Sequence, residues 1–280
     1  MKQQIILTGD KRHAALCELA RARGWHVMSM GLPGSLPCAG LADAAVLPMP
    51  YAREGRVPAP LLSDAPDIVS VLEHVRPGAR VYCGGADEAL NMLAQEKRLK
   101  IIDLYKDEAF ARRGALPSAE GAIYALMRER DEMVAGAHVL IVGFGRLGQA
   151  LALMLTGMGA RVRVAARREE SRALADVMGC ETAAMDALYI AVKGMSAVFN
   201  TVPARVIDER TLLNMDAGAI IVETASAPYG VDFESARALG VRVLKEGGIP
   251  GRYCPRTAAA IILDAIEQDA AKSEGGIENG

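Results

Sequence analysis

A glycine-rich turn near the midpoint of the chain constrains the fold more than any other feature. Residues 139–142 are apolar and suited to a buried parallel strand, and they run directly into Gly143-x-Gly145-x-x-Gly148 and an apolar helical stretch. The first glycine allows a tight turn, the second lets the backbone approach a pyrophosphate, and the third lets the helix pack close to the strand. The helix N-terminus adds unpaired N–H donors. This order predicts a dinucleotide site, although in a chain with 28 glycines a bare glycine pattern would also fit a closely packed turn without a ligand.

Length and composition are those of an ordinary globular protein. The chain has 280 residues, 51% of them hydrophobic and 24% charged, with a net charge of −2. That length is enough for two domains, each with its own core. The charge balance does not point to nucleic acid or to an acidic membrane surface. The longest nearly apolar run, residues 150–160, is shorter than the roughly 18 residues that a membrane span needs. The N-terminus leads into a strand-like segment rather than a signal peptide, so we expect a cytoplasmic protein without a membrane partner.

The cysteines carry no metal-site or disulfide pattern. They are five in number and scattered, at positions 17, 38, 83, 180 and 254, and they form no C-x-x-C pair. This usage is typical of a reducing cytoplasm, and we predict no metal site.

Strand-like and helix-like stretches alternate on both sides of the glycine turn. Such alternation predicts βαβ units and a parallel sheet. The expected fold class is α/β. Two Rossmann-like domains, each with a parallel sheet, would be joined by a long interdomain helix that begins near Pro117. The predicted parts are an N-terminal flavodoxin-like or Rossmann-like substrate domain at 1–116, the interdomain helix at 117–135, an NADP-binding Rossmann domain at 136–251, a C-terminal helix returning to the N-terminal domain at 252–272, and a disordered tail at 273–280.

The end of the second strand after the glycine turn indicates which cofactor binds. In an NAD site an acidic residue stands there and binds the ribose 2′-hydroxyl. Here the strand ends in Arg167-Arg168, and Ser171 follows. Two guanidinium groups match a 2′-phosphate, which a carboxylate would repel. We predict NADP in preference to NAD; the alternative is a pair of solvated surface arginines in a protein that also accepts NAD.

Two later strands end in loops that would face the same ligand, since ligands of open parallel sheets lie outside the carboxyl ends of the strands. The predicted cofactor-binding residues are therefore Gly143, Gly145, Arg146, Leu147, Gly148, Arg167, Arg168, Ser171, Asn200, Thr201, Val202, Pro203 and Ala225. In the first domain, Arg12 follows the first strand at a predicted helix start. It would either hold a ligand carboxylate or be a solvated charge.

Several motifs together resemble one family. They are Leu7-Thr8-Gly9-Asp10-x-Arg12, the segment 116–123, the glycine turn, the segment 199–204, Ala225-Ser226-x-Pro228-x-Gly230-x-Asp232-Phe233, and Gly248-Ile249-Pro250-Gly251 with Pro255-x-Thr257-Ala258. In order and spacing, over nearly the whole chain, they resemble the A subunits of dipicolinate synthases of endospore-forming bacteria.

The resemblance implies an activity and partners. The expected reaction is NADP-dependent oxidation of dihydrodipicolinate to dipicolinate during sporulation, in the cytoplasm of the mother cell. A hydride passes to the nicotinamide and the ring becomes aromatic. The expected partners are further copies of this chain and a flavoprotein-like B subunit, with no nucleic acid among them. Arg12, with Arg252 or Arg256, would hold the two substrate carboxylates by bidentate pairing. Asn200 and Ser226 would position the substrate.

Two other functions remain open from the sequence. The first is another two-domain NADP dehydrogenase, such as a relative of shikimate or alanine dehydrogenase, which explains the architecture but not the full set of loops. The second is a nucleotide-binding regulatory subunit whose catalysis resides in a partner. The sequence keeps this possibility open because no clear His–Asp or Lys–Asp pair adjoins the glycine turn.

Overall fold

The computed structural model describes residues 4–35, 40–52, 57–58, 60–61 and 66–275, with residues 273–275 described by their backbone alone. The chain divides into two compact units. Unit 1 comprises the described residues up to Gly114 together with those from Pro250 onward, and unit 2 is Ala115–Ile249. In the described part of the chain, no helix has the length and apolar character needed to cross a bilayer.

Unit 1 is built on a five-stranded parallel sheet in the order β2-β1-β3-β4-β5. The strands are β1 (Gln4–Leu7), β2 (His26–Ser29), β3 (Ala42–Val46), β4 (Val75–Cys83) and β5 (Lys100–Asp103). The helices between them are α1 (Lys11–Ala22), α2 (Ile68–Glu73) and α3 (Glu88–Glu96). The chain changes direction across the sheet between β1 and β3, which is the flavodoxin-like order. Ligand sites of such sheets lie at that switch point, beside the carboxyl end of β1.

The C-terminal segment completes unit 1. It forms α10 (Ile249–Tyr253) and α11 (Pro255–Gly275), and α11 packs against α1. Leu263 and Ile266 of α11 are fully buried in the core that also contains Leu16 of α1. At the far end of α11, the Tyr82 hydroxyl donates to Asp269 Oδ2 at 2.9 Å. Residues 273–275 continue the helix rather than beginning a disordered tail, and the rest of that predicted tail, 276–280, lies outside the described residues.

Unit 2 is a six-stranded parallel sheet in the order β11-β10-β9-β6-β7-β8. The strands are β6 (His138–Val142), β7 (Arg161–Ala166), β8 (Glu181–Ala184), β9 (Ala197–Asn200), β10 (Ile220–Glu223) and β11 (Arg242–Lys245). The helices are α5 (Arg146–Gly157), α6 (Glu169–Val177), α7 (Leu188–Ala191), α8 (Glu209–Leu212) and α9 (Phe233–Ala238). This is the strand order of a full dinucleotide-binding domain, with its switch point between β6 and β9. The predicted fold class is confirmed.

The long helix between the two sheets differs from its predicted bounds of 117–135. It is α4 (Glu108–Arg128), and Pro117 lies inside it rather than in its first turn. The helix starts earlier because Asp107 precedes it as a cap: Asp107 Oδ1 accepts the backbone N–H of Phe110 at 2.9 Å. A proline inside a helix removes one backbone donor. The boundary between the two units falls within the same helix, between Gly114 and Ala115.

Candidate dinucleotide site and the neighbouring loops

The glycine turn joins β6 to α5, and its three glycines meet different surroundings. Gly143 has a φ of +93°, and a Cβ there would lie 2.5 Å from Thr201 Oγ1. A Cβ on Gly148 would lie 2.3 Å from the carbonyl oxygen of Gly143. A Cβ on Gly145 would have no described atom within 4 Å. The first and third glycines are thus required by packing, whereas the second borders open space. Such a cradle at an uncapped helix start fits the pyrophosphate of a dinucleotide.

The helix that follows the turn begins with two of the predicted cofactor residues. Arg146 is exposed and Leu147 is half-buried, both in the first turn of α5. Phe144, between the glycines, is buried. The open side of the turn is therefore bordered by the start of α5 and by its backbone N–H groups.

The end of β7 presents an uncompensated positive charge. Arg167 and Arg168 are exposed, and neither has an ion-pair partner within the described chain. Ser171 is half-buried one turn later. Arg172, which the sequence did not single out, donates through Nη1 to the carbonyl oxygens of Ala166 at 2.9 Å and Arg167 at 3.1 Å.

Arg172 also engages the first acidic residue after β7. Its Nη2 bonds Glu169 Oε2, three residues earlier in α6. Glu169 is thereby held in the first turn of its own helix, where the helix dipole favours a carboxylate. The local signal for this pairing is the i, i+3 spacing, which the sequence contains.

The loop after β9 lies directly against the glycine turn. The Thr201 hydroxyl and backbone N–H both donate to the Val142 carbonyl oxygen at 2.9 Å. A Cβ on Gly143 would also lie 2.7 Å from Val202 Cγ2. Pro203 is exposed beyond them. Thr201 and Val202 therefore stand beside the first glycine, as expected for residues that wall a dinucleotide site.

A buried carboxylate joins this loop to the one after β10. Glu223 is fully buried, and its two oxygens accept Asn200 Nδ2 at 2.8 and 2.9 Å. The backbone N–H groups of Ala225, Gly230 and Val231 donate to it at 2.9, 2.9 and 3.1 Å. The sequence did not single out Glu223, because a glutamate at the end of a strand is ordinarily expected to be exposed. Its burial depends on Asn200 of the neighbouring strand, and the sequence alone does not show that the two are neighbours.

The same contacts revise what Asn200 can do. Asn200 is fully buried, and its amide also donates to the Val202 carbonyl oxygen at 3.0 Å. With both amide hydrogens engaged inside the protein, its side chain organises the loops rather than reaching outward. Ser226 differs from it, because it is exposed at the tip of the loop after β10, whereas Ala225 is half-buried.

The predicted substrate residue of unit 1, Arg12, is already paired. Its guanidinium contacts Asp10 through Nε at 3.0 Å to both carboxylate oxygens and through Nη2 at 2.7 Å, and Nη2 also donates to the Met49 carbonyl oxygen at 2.9 Å. Burial alone would raise the pKa of Asp10, but hydrogen bonds from His13 and Arg12 outweigh it and hold that pKa well below its usual range. Asp10 also caps α1 by accepting the Arg12 backbone N–H. A free ligand carboxylate at this helix start would compete with Asp10.

The neighbouring histidine is also engaged on both ring nitrogens. His13 is fully buried, and its Nδ1 lies 3.3 Å from the Asp10 backbone nitrogen and 3.4 Å from Asp10 Oδ1. Its Nε2 lies 3.2 Å from the Leu47 carbonyl oxygen. His13 therefore holds the start of α1 in place and presents no ring nitrogen for acid–base chemistry.

The last predicted substrate residue lies on α10, next to the Asp10–Arg12 pair. A Cβ on Gly251 would lie 2.7 Å from Asp10 Oδ2. Arg252 is exposed, with its Nη2 3.0 Å from the Tyr253 hydroxyl oxygen. Arg256 instead pairs with Glu18 Oε2 at 3.0 Å. Unit 1 thus brings Arg12 and the helix of Arg252 together, while unit 2 gathers the glycine turn and the loops after β7, β9 and β10.

Comparison with known proteins agrees with this division. Residues 4–105 match the family described as the N-terminal domain of the dipicolinate synthase A subunit. Residues 115–243 match the family described as D-isomer specific 2-hydroxyacid dehydrogenase, NAD binding domain. The second match confirms that the predicted cofactor is a nicotinamide dinucleotide, because it identifies unit 2 as a domain for such a cofactor.

Relatives and solved structures extend the match over both units. The dipicolinate synthase A subunit of Bacillus subtilis (strain 168) is 28% identical over 188 residues, which are 67% of this chain and 63% of the relative. The crystal structure of its counterpart from Bacillus halodurans superposes with a TM-score of 0.83 at 25% identity, covering 95% of this chain and 97% of the other. The crystal structure of the Bacillus subtilis protein gives 0.83 at 23% identity, covering 98% and 97%.

The chain is similar to dipicolinate synthase A subunits over both units. The N-terminal family match and the full-length structural match carry this similarity, since the nucleotide-binding half alone is shared with other dehydrogenases. The curated relative is matched over less than two thirds of its length. This similarity agrees with the resemblance that the sequence motifs carry.

Proposed function

We propose that this chain oxidises dihydrodipicolinate to dipicolinate with NADP, in the mother cell of a sporulating bacterium. The observation that carries the proposal is the open cradle at Gly145 in a chain whose N-terminal part matches the dipicolinate synthase A family. When bound, the nicotinamide would supply the acceptor for a hydride from a ring carbon, and the neighbouring ring position would release a proton to solvent. One dihydrodipicolinate and one NADP+ thus give one dipicolinate, one NADPH and one proton.

The chain's own task in this reaction is orientation. Aromatisation supplies much of the driving force, so the protein has to hold two rings and two carboxylates in register. We assign the first carboxylate to Arg252, which lies on α10 next to the Asp10–Arg12 pair, and not to Arg256, which pairs with Glu18. Arg12 takes the second carboxylate by exchanging contacts with Asp10, and the exposed Ser226 hydroxyl positions the ring.

The cofactor assignment rests on the charge at the end of β7. Arg167 and Arg168 offer two guanidinium groups for a 2′-phosphate, with Ser171 as a further donor, and Glu169 is held by Arg172. The first turn of α5, with Arg146 and Leu147, receives the pyrophosphate. The proposed wall of the nicotinamide is formed by the loops after β9 and β10, through Thr201, Val202, Pro203 and Ala225.

Two charge reversals, one at the start of β7 and one just after its end, test the cofactor assignment. We expect Arg167→Asp to raise the Kd for NADP by about tenfold or more, because a bidentate phosphate contact is replaced by repulsion. Arg161→Asp is the matched control, since Arg161 is exposed at the opposite end of β7. Calorimetric titration with NADP and NAD measures both. Unchanged NADP affinity in Arg167→Asp would reject the assignment.

A turnover assay tests the reaction and the partner together. Pure chain is incubated with NADP and freshly generated dihydrodipicolinate, with and without a flavoprotein-like B subunit, while NADPH and the ultraviolet absorbance of dipicolinate are followed. We expect product from this chain, as a homo-oligomer, and a further rate increase with the partner. No product under either condition would reject the proposal.

A nucleotide-binding regulatory subunit is the second candidate. It is favoured by the internal partners of Arg12 and Asn200, which leave fewer polar groups facing a substrate. In this case the same assay would give product only when the partner is present, while NADP would still bind to this chain.

A further inference from the structure

Glu223 is a buried carboxylate without a cation beside it in the described chain. It ends β10, opposite Asn200 at the end of β9, and the two residues are direct partners in the parallel register. All its bonds come from neutral N–H donors: the Asn200 amide and three backbone groups. Burying a charge costs free energy unless its lone pairs are satisfied. A neutral side chain would therefore be expected if this strand end had only a structural role.

The donors come from two separate loops. Ala225, Gly230 and Val231 belong to the loop after β10, and Asn200 begins the loop after β9. The loops approach so closely that a Cβ on Gly230 would lie 2.2 Å from Asn200 Nδ2. The Gly230 carbonyl oxygen in turn accepts the N–H groups of Val206 and Ile207 at 3.0 and 2.9 Å. The carboxylate is the shared acceptor that fixes one loop against the other.

The loop after β9 also continues to the dinucleotide turn. Thr201 is bonded to the last residue of β6, and Thr201 and Val202 lie against Gly143. A shift of the Asn200 amide would therefore move the residues beside the turn. Glu223 lies away from the strand end that is proposed to bind the adenosine half. Its strand, β10, is separated from β7 by β9 and β6, and Arg167 and Arg168 follow β7.

We infer that Glu223 is a positioning residue for the nicotinamide half of the cofactor, acting through Asn200 and the loop after β10. This inference rests on the proposed function, since it takes the two loops as the wall of the nicotinamide. It assigns Asn200 to the same network and not to contact with the substrate. The adenosine half is held independently, at the end of β7.

Comparing the affinities of ligands with and without the nicotinamide half distinguishes a positioning role of Glu223 from a purely structural one. NADP is compared with 2′,5′-ADP, and NAD with AMP, by calorimetric titration. For Glu223→Gln we expect the Kd for the nicotinamide-bearing ligand to rise about tenfold. The Kd for its truncated partner should stay within about twofold. Glu96→Gln, at an exposed position at the end of α3 in unit 1, is the control and should change neither.

A second variant guards against misfolding of the first. Gly230→Ala pushes on the Asn200 amide while leaving the carboxylate in place, and should reproduce the same split between ligands. In both variants, hydrogen exchange should rise in residues 201–206 and 224–232 and not at the end of β7. Equal loss of affinity for both members of a ligand pair, or no loss for either, would overturn the inference. Because binding and exchange do not require turnover, failure of the dipicolinate assay would not be mistaken for failure here.

Discussion

At the scale of single residues, substitutions at two glycines of the turn should affect different properties, one of them ligand binding and the other stability. Gly145→Ala should leave the melting temperature unchanged, because its Cβ enters open space, and should raise the Kd for NADP about tenfold. Gly148→Ala places a Cβ 2.3 Å from a backbone oxygen. We expect it to cost about 1–3 kcal/mol of stability. Thermal unfolding and calorimetric titration of the two variants check this, and normal NADP binding by Gly145→Ala would contradict the cradle.

Asp10 should make a pH-dependent contribution to stability. Its pKa in the folded protein is below the unfolded value of about 3.9, so its contribution is complete above that value and is lost as the pH falls toward the folded pKa. Asp10→Asn should therefore lower the free energy of unfolding by about 1–3 kcal/mol at pH 7. Urea unfolding of both proteins measures the difference, which should be flat above about pH 5 and shrink below about pH 4. A difference that grows on acidification would be the wrong sign.

Sequence reasoning located the residues whose surroundings are local. The glycines of the turn and the arginines after β7 lie where the pattern places them, because their neighbours in the chain define their surroundings, and their contact with a cofactor stays a prediction. Glu223 and Asn200 were not understood, because their bond depends on the register of β10 against β9. Arg12 was correctly placed at a helix start, but its contact with the Met49 carbonyl oxygen depends on how α1 meets the loop after β3.

At the scale of elements, the junction of β7 and α6 should set cofactor preference through Arg172. Arg172→Ala frees Glu169 near the 2′-phosphate position, where a carboxylate repels phosphate and favours a hydroxyl. We expect the NADP-over-NAD preference to fall about threefold to tenfold. Adding Glu169→Gln should restore most of it. The ratio of the two dissociation constants is the measurement, and an unchanged ratio would show that Glu169 does not reach the site.

The C-terminal helix should stabilise unit 1. Leu263 of α11 is fully buried in the core of that unit, so Leu263→Ala should cost about 2–5 kcal/mol. Gln268→Ala, exposed on the same helix, should stay within about 0.5 kcal/mol. Urea unfolding with hydrogen exchange should show weakened protection in β1 and α1. A loss of hydrogen-exchange protection confined to β6, a strand of unit 2, would contradict the assignment of α11 to unit 1.

Element bounds were harder to predict than element order. The predicted helix start at Pro117 follows a sound local preference, but Asp107 supplies an earlier cap and the helix accommodates the proline in its interior. The preference of proline for the first turn of a helix was therefore outweighed by the cap that Asp107 provides upstream. In contrast, the alternation of strands and helices sufficed for the two parallel sheets, because the crossover between parallel strands is usually a helix.

At the scale of the whole molecule, the two units divide the work. Unit 2 has the strand order and glycine turn of a nicotinamide-cofactor domain, and unit 1 carries the family-specific N-terminal part. The turn alone identifies a cofactor class. The proposed substrate rests on the family that matches unit 1, and the sequence indicated that family only through the whole set of motifs.

The stoichiometry of turnover tests the central claim most directly. Under anaerobic conditions, which suppress air oxidation of the substrate, pure chain is mixed with NADP and dihydrodipicolinate, and NADPH and dipicolinate are quantified in the same sample. We predict equal molar amounts, formed only when NADP is present. The same mixture with the Gly145→Ala variant at limiting NADP should form both products more slowly and in the same ratio. Dipicolinate without an equal amount of NADPH, or formed at the same rate without NADP, would contradict the account.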